Sequence, residues 1–169
     1  MSTPITVRPA RTSDIPYIQQ LVEPLVQRRI LLGKDLVVLY EAVQEFRIAV
    51  DSEGTPIGCG ALHVMWQDLG EVRTLAVAPE WLGKGVGRAI LETIEADALN
   101  LGLSRLFCLT FEVDFFERNG FSAISDEIVQ PDVFMQLSLS PDEGVAEFLD
   151  LSRVKQNTLG NTRMLKIIA

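Results

Sequence analysis

The sequence predicts an α+β fold, a mixed central sheet flanked by helices, in a single domain over residues 1–169. Three observations lead there. Strand-like and helix-like stretches follow one another as strand, two helices, three strands, helix, strand, helix, strand, a layered order with mixed pairing. The length of 169 residues suits one core, and 47% hydrophobic with 22% charged residues is ordinary for a soluble globular chain. No internal repeat or low-complexity segment breaks the pattern.

Taken in order, Ile5-Thr6-Val7-Arg8 reads as the first strand, and Thr12-Ser13-Asp14 supplies N-cap candidates for a helix carrying Ile15, Ile18, Leu21, Val22 and Leu25. Pro24 kinks or ends that helix. Leu36, Leu39, Tyr40 and Val43 suggest a second helix before a strand from Phe46 to Val50. Asp51-Ser52-Glu53-Gly54-Thr55-Pro56 is a hairpin turn into the strand from Ile57 to Val64. A central strand covers 71 to 78, where Ala78-Pro79 stops the ladder. An apolar stripe at Val86, Ala89, Ile90, Ile94, Ala98 and Leu101 marks the long helix, which ends near Asn100 with Gly102 for its C-terminal turn. Arg105 to Thr110 is a buried strand, Glu112 to Asn119 a short helix closed by Gly120, and Arg163 lies in a final strand.

The stretch between the central strand and the long helix carries the chemistry. Gly83, Gly85 and Gly87 alternate at the start of the helix, where unpaired N–H groups and the positive end of the macrodipole favour an anion. Lys84 and Arg88 can add charge at the rim. The plain alternative is a tight turn. The dinucleotide fingerprint G-x-G-x-x-G with a later acidic residue and the P-loop G-x-x-x-x-G-K-[ST] are both absent.

The pattern Val77-x-Pro79-x-x-x-Gly83-x-Gly85-x-Gly87 resembles the acetyl-CoA signature of the GNAT superfamily of N-acetyltransferases. The family commonly has Gln or Arg where Leu82 stands, so a side-chain donor is lost there and the backbone donors remain. The resemblance implies that Leu75, Ala76, Val77, Leu82, Gly83, Lys84, Gly85, Val86, Gly87, Arg88, Thr110 and Phe116 bind acetyl-CoA. It also implies that Glu71 is the base, directly or through a water, and that backbone N–H groups near Leu75 to Val77 hold the oxyanion at a strand bulge. The bland reading of Glu71 is a solvated carboxylate at a strand end.

Many GNAT enzymes use a tyrosine acid before the last Gly-Phe pair, but here the segment reads Phe115-Phe116-Glu117-Arg118-Asn119-Gly120-Phe121. Phenylalanine cannot donate a proton. The run from Phe107 to Phe121 looks instead like the acetyltransferase domain of N-acetylglutamate synthases, which carry Ser or Thr at the place of Thr110. Thr110 is thus the candidate for protonating the thiolate, with helix capping as its plain alternative. Residues 36–46, 57–62 and 157–165 resemble the short, single-domain bacterial branch of that family. Its longer members add an amino-acid kinase-like domain for arginine control, so that control is not carried over.

The implied reaction is direct transfer of acetyl from acetyl-CoA to the α-amino group of L-glutamate, with L-glutamine a second acceptor, as the first step of arginine biosynthesis. Two carboxylates on the acceptor call for cations, and Lys34, Arg73 and Arg163 are the candidates ahead of Arg28, Arg29, Arg153 and Lys155. Each has a surface ion pair as its bland reading. Rival readings are a GNAT enzyme for another amine (a polyamine, an antibiotic or a protein N-terminus) and a CoA-binding sensor without turnover.

The net charge of −8, from 23 acidic against 15 basic residues, argues against nucleic acid. His63 is the only histidine, which excludes a multi-histidine metal site, and no metal is expected. Cys59 and Cys108 lie in apolar runs and read as buried small hydrophobes, and direct transfer needs neither as a nucleophile. The first residues lack a signal-peptide core, and no apolar run approaches the ~18 residues of a membrane span. A cytoplasmic protein with no membrane partner is expected. Pairing of two copies, frequent among GNAT domains, is implied by the resemblance alone.

Overall fold

The computed structural model describes residues 4–125, 128–149 and 161–169. Within them the sheet has seven strands in the order β1-β2-β3-β4-β5-β7-β6. The strands are β1 (Thr6–Pro9), β2 (Phe46–Val50), β3 (Pro56–Trp66), β4 (Leu69–Val77), β5 (Arg105–Thr110), β6 (Ser122–Ala123) and β7 (Thr162–Ile167). β1 to β4 form an antiparallel meander, β4 and β5 run parallel, and β7 returns antiparallel to β5 and to β6. This is the mixed sheet the sequence predicts, with β4 at its centre.

The helices are α1 (Ile15–Gln27), α2 (Leu36–Glu41), α3 (Val86–Asn100), α4 (Val113–Arg118), α5 (Pro131–Leu137) and α6 (Glu143–Phe148). Asp14 starts α1 differently from a simple cap. Its carboxylate accepts from the Arg11 N–H at 2.7 Å and from both terminal nitrogens of Arg8 at 2.8 and 2.9 Å, bracing β1 against the helix. α1 continues past Pro24 to Gln27, so the proline sits inside it. Gly102, at φ 88°, follows α3 as the sequence suggests.

The heptad-like stripe of α3 explains one face. Val86, Ile90, Leu91, Ile94 and Ala98 are buried against Ile57, Leu62 and Val72 of β3 and β4, together with Phe116 of α4 and Phe121. On the opposite face, Ile15, Ile18 and Val22 of α1 and Leu39 of α2 meet Ile48, Cys59, Ala61 and Ala76. Each Val, Leu, Ile or Phe among them contributes roughly 1.5–3 kcal/mol by leaving water, and the alanines less. A further cluster joins Leu137 of α5 and Val145 and Phe148 of α6 to Met65, Leu69 and Phe107. Along β4, then, Leu69 belongs to the α5/α6 cluster and Ala76 to the α1/α2 cluster. Side chains alternate on a strand, so Glu71 and Arg73 share a face with Leu69, between the two apolar clusters.

Candidate active site

β4 and β5 pair only where Leu69, Gly70 and Glu71 face Arg105, Leu106 and Phe107. β4 runs on to Val77 and β5 to Thr110 without further pairing, so the two strands part as a fork. Glu71 stands at its apex. Beyond it the β3–β4 register slips between Cys59 and Ala61, and Thr74 takes φ 55°, a left-handed conformation that a β-branched residue avoids. This is the bulge implied by the resemblance. The Ala78 N–H donates to the Ile57 carbonyl, at 2.8 Å. Because hydrogen-bonding groups alternate along a strand, the N–H groups of Leu75 and Val77 point the other way, into the fork. Their side chains pack toward the α3 core, and Ala76 toward α1.

The mouth of the fork is the turn into α3. A short helical turn, Pro79–Trp81, leads to Leu82, which is 64% exposed. Gly83 and Gly85 have φ of 75° and 85°, and a Cβ on either would meet nothing within 4 Å. Both properties matter: the left-handed turn favours glycine, and the space beside it is open for a bulky group to approach. Gly85 is the N-cap of α3 and no side chain caps its first turn, so the N–H groups around Val86, Gly87 and Arg88 face outward for an anion. Lys84 lies 5.1 Å over the Trp81 ring, and Arg88 pairs with Glu92 at 2.9 Å on the exposed helix surface. The residues present fit a diphosphate held by backbone donors, with these two cations at the rim.

At the apex the chemistry changes from backbone to side chain. Glu71 is 5% exposed, and its Oε2 accepts from Arg73 Nη2 at 3.1 Å. The two terminal nitrogens of Arg73 also donate to Asp142, each at 3.0 Å. Burial works against the Arg73 cation, but Glu71 and Asp142 outweigh it and leave its pKa above the ordinary arginine value. Burial likewise works against the Asp142 anion, and Arg73 more than reverses this, holding the carboxyl well below the usual range with help from the Val145 N–H and His63. Asp142 doubles as the N-cap of α6. A Cβ on Gly144 would stand 2.5 Å from Arg73 Nη2, so the guanidinium reaches Asp142 only because that residue has no side chain. The base expected at Glu71 is therefore a buried carboxylate with its counter-charge built in.

Beside this group, His63 lies directly across the β3–β4 ladder from Glu71. Its Nδ1 shares a 2.8 Å hydrogen bond with Glu45 Oε1. Neither Asp142, Gly144 nor Glu45 stood out in the sequence. The Asp142-Glu143 pair ahead of Val145 is a helix-start signal that could have drawn attention to the first.

The other expected residues fall into two groups. Thr110 is buried at the end of β5, and its Oγ1 accepts from the Glu112 N–H at 2.8 Å. This is a turn contact to the residue two positions on rather than a helix cap, since α4 starts from Glu112 with no side-chain cap, and it leaves the hydroxyl proton available. Phe116 is a core residue, edge-on to Phe115 and Phe121 at 5.1 Å each. Phe115 is the ring beside the glycine turn, 3.3 Å from where a Cβ of Gly87 would be. Arg163 donates to the Phe148 carbonyl at 2.6 Å and stacks over Phe107 and Phe148, at 5.2 and 5.5 Å, on the Glu71 side of the sheet. Lys34 is half-buried between α1 and α2, with Arg28 and Arg29 exposed nearby, and none of the three has an ion pair among the described residues. Arg153 and Lys155 lie outside the described residues.

Cys59 and Cys108 are free and buried. Burial pushes the Cys59 thiol up to about 12 and also raises Cys108, which suits small core residues rather than nucleophiles. No helix among the described residues is long and apolar enough to cross a membrane.

Comparison with known proteins agrees with this geometry. An amino-acid acetyltransferase of Mycobacterium tuberculosis is 54% identical over 164 residues, covering 96% of this chain and 94% of the relative. A crystal structure from the same organism, in complex with CoA and NLQ, superposes with a TM-score of 0.92 at 54% identity, covering 96% of this chain and 98% of that one. The N-acetylglutamate synthase of Neisseria gonorrhoeae, crystallised with coenzyme A and N-acetyl-glutamate, superposes with a TM-score of 0.79 at 26% identity, covering all of this chain but 36% of that one. The profile of the acetyltransferase (GNAT) family matches residues 19–121, and with the fork, the bulge and the glycine turn in place this chain belongs to that family.

Proposed function

We propose that this protein is an amino-acid N-acetyltransferase that moves the acetyl group of acetyl-CoA to the α-amino group of L-glutamate, the first step of arginine biosynthesis, acting in the cytoplasm. The observation that carries the transfer is the placement of Glu71 at the apex of the β4–β5 fork whose mouth is the Gly83–Gly85 turn. The acceptor is supported by similarity to the M. tuberculosis amino-acid acetyltransferase and to the N. gonorrhoeae synthase crystallised with N-acetyl-glutamate.

In this reading the α3 start binds the diphosphate, and the fork takes the extended arm with the thioester near the bulge. Glu71 accepts a proton from the incoming amine, and the freed nitrogen attacks the acetyl carbon. The Leu75 and Val77 N–H groups hold the oxyanion, and Thr110 gives its hydroxyl proton to the departing sulfur as the C–S bond breaks, regaining a proton from the nitrogen, which sheds its second one in becoming the amide. Lys34 and Arg163 hold the acceptor carboxylates. Arg73 contributes its Nε–H, which is buried without a partner among the described residues.

The test is thiol release from acetyl-CoA against a panel of amino acids and amines, run beside a Glu71→Gln variant. Turnover confined to glutamate or glutamine supports the assignment. Turnover on unrelated amines alone overturns the acceptor, and CoA binding with no turnover overturns the enzyme.

A further inference from the structure

Resting on that reading, the proton balance of the reaction makes a demand that Glu71 alone does not meet. The acceptor enters as an ammonium group and leaves as an amide N–H, so its nitrogen gives up two protons. The sulfur of the leaving thiolate keeps one. The other must reach water on every turnover, and the group that takes it is 5% exposed, with one oxygen tied to Arg73.

The neighbour across the ladder supplies an outlet. His63 pairs with Glu71 between β3 and β4, and cross-strand partners have Cβ atoms about 4.5–5.5 Å apart. The imidazole is held by Glu45 at 2.8 Å through Nδ1. A carboxylate on Nδ1 places the ring proton there and turns Nε2 into the acceptor. Nε2 makes no described hydrogen bond, and neither does Glu71 Oε1. Exposure of the side chains rises along the series, from 6% at Glu71 to 22% at His63 and 31% at Glu45. The charged groups around the imidazole are Glu45 ahead of β2, Glu71 and Arg73 on β4, and Asp142 at the start of α6.

We propose that His63, oriented by Glu45, is the proton relay that empties Glu71 between turnovers. The proton moves from the Glu71 carboxyl to His63 Nε2, giving an imidazolium paired with Glu45. It then passes to water or buffer, restoring the neutral ring. No electron is exchanged, and the only bonds made and broken are to that proton. His63 never touches the reacting acetyl group, so it acts through Glu71.

The experiment measures kcat and KM for His63→Ala, His63→Gln and Glu45→Gln across pH, in dilute and concentrated buffer and with added imidazole. The expected result is a fall in kcat of about 10- to 100-fold for both His63 variants, at the lower edge of what a positioned proton carrier supplies. KM for acetyl-CoA stays within twofold on the order of experimental spread. Imidazole or concentrated buffer restores His63→Ala toward wild type and leaves Glu71→Gln unrescued, and Glu45→Gln loses less than either His63 variant. Wild-type kcat and an unchanged pH profile in His63→Gln overturn the relay. So does a loss that imidazole does not touch and that comes with a raised amino-acid KM, since that is a binding role. Wild-type turnover on a different amine overturns the glutamate assignment alone, and the same variants are then read with that amine. A wild type inactive on every amine overturns both.

Discussion

The two ends of β4 solve different problems with different means. In the proposed reaction, the working groups at the downstream end, from Val77 to Arg88, are backbone N–H donors, presented by two left-handed glycines and an uncapped helix start. Everything there is contiguous in the chain. At the upstream end the groups this proposal relies on are side chains from separate elements: Glu71 and Arg73 on β4, His63 on β3, Glu45 ahead of β2, and Asp142 some 69 residues beyond Arg73. A shared ligand can be held by a turn that depends on conformation alone. A proton transfer needs charges balanced in a buried space, and that balance is assembled by the fold. The difference should appear as kcat effects upstream and KM effects downstream.

The largest effect belongs to the apex. Glu71→Gln keeps shape and removes the proposed proton acceptor, and kcat is expected to fall by about 10²–10⁴. KM for acetyl-CoA should hold, because the glycine turn is at the other end of the strand. A steady-state titration of both substrates checks the split, and a matching rise in acetyl-CoA KM would break the division between the two ends.

Asp142 tests whether the upstream end is also a structural joint. Asp142→Asn leaves Arg73 with Glu71 as its remaining anion and is expected to cost about 1.5–3 kcal/mol, the range of hydrogen bonds to charged groups. Its folded-state pKa is depressed, chiefly because Arg73 more than offsets burial. The stability it contributes is therefore complete above its unfolded-state value of about 3.9 and is lost as pH falls toward the folded-state value. Thermal melts of the variant should fall less steeply than wild type below about pH 4. Asp14, held low mainly by Arg8, adds a loss of the same sign that both proteins keep.

Gly85→Ala probes the downstream end. The added methyl has open space, so its cost is the left-handed backbone, about 1–2 kcal/mol for a residue with a Cβ. The expectation is a rise in acetyl-CoA KM of up to about tenfold, equivalent to about 1.4 kcal/mol, at near-constant kcat. An equal fall in kcat would mean that the turn also sets the reacting geometry.

The same contrast governs what could be read from the sequence. The glycine turn, the stripe of α3 as far as Ala98, the strand from Arg105 to Thr110 and the position of Glu71 are local patterns that recur in the structure, whereas Leu101, expected to continue the stripe, lies past the last helical residue and is 61% exposed. α5 and α6 are seven and six residues long, under two turns each, too short for an apolar period to show, and β6 has two residues. Asp142 was hidden with them. Arg73 was legible as a cation but not as one already claimed by two carboxylates, because no spacing in the chain announces a contact 69 residues away. His63 drew notice only for being single. Its meaning came from the register that sets it across from Glu71. Phe116, expected at the cofactor, packs in the core, and the ring next to the turn is its neighbour Phe115, a one-residue difference in which way a short helix faces.

The smallest expected effect sharpens the downstream half. Leu82 is 64% exposed where the family resemblance leads one to expect a donor side chain, so its replacement disturbs no packing and stability should change by less than about 0.5 kcal/mol. Leu82→Gln adds an amide N–H at the mouth of the turn. In that wet setting one more hydrogen bond to a diphosphate is worth roughly 0.5–1 kcal/mol, and the acetyl-CoA KM should fall about twofold to fivefold with kcat unchanged. The same change in desulfo-CoA affinity by calorimetry would assign the gain to binding rather than to chemistry. If neither constant moves, the backbone donors already saturate the anion, and this protein has dispensed with the side chain because its turn needs none.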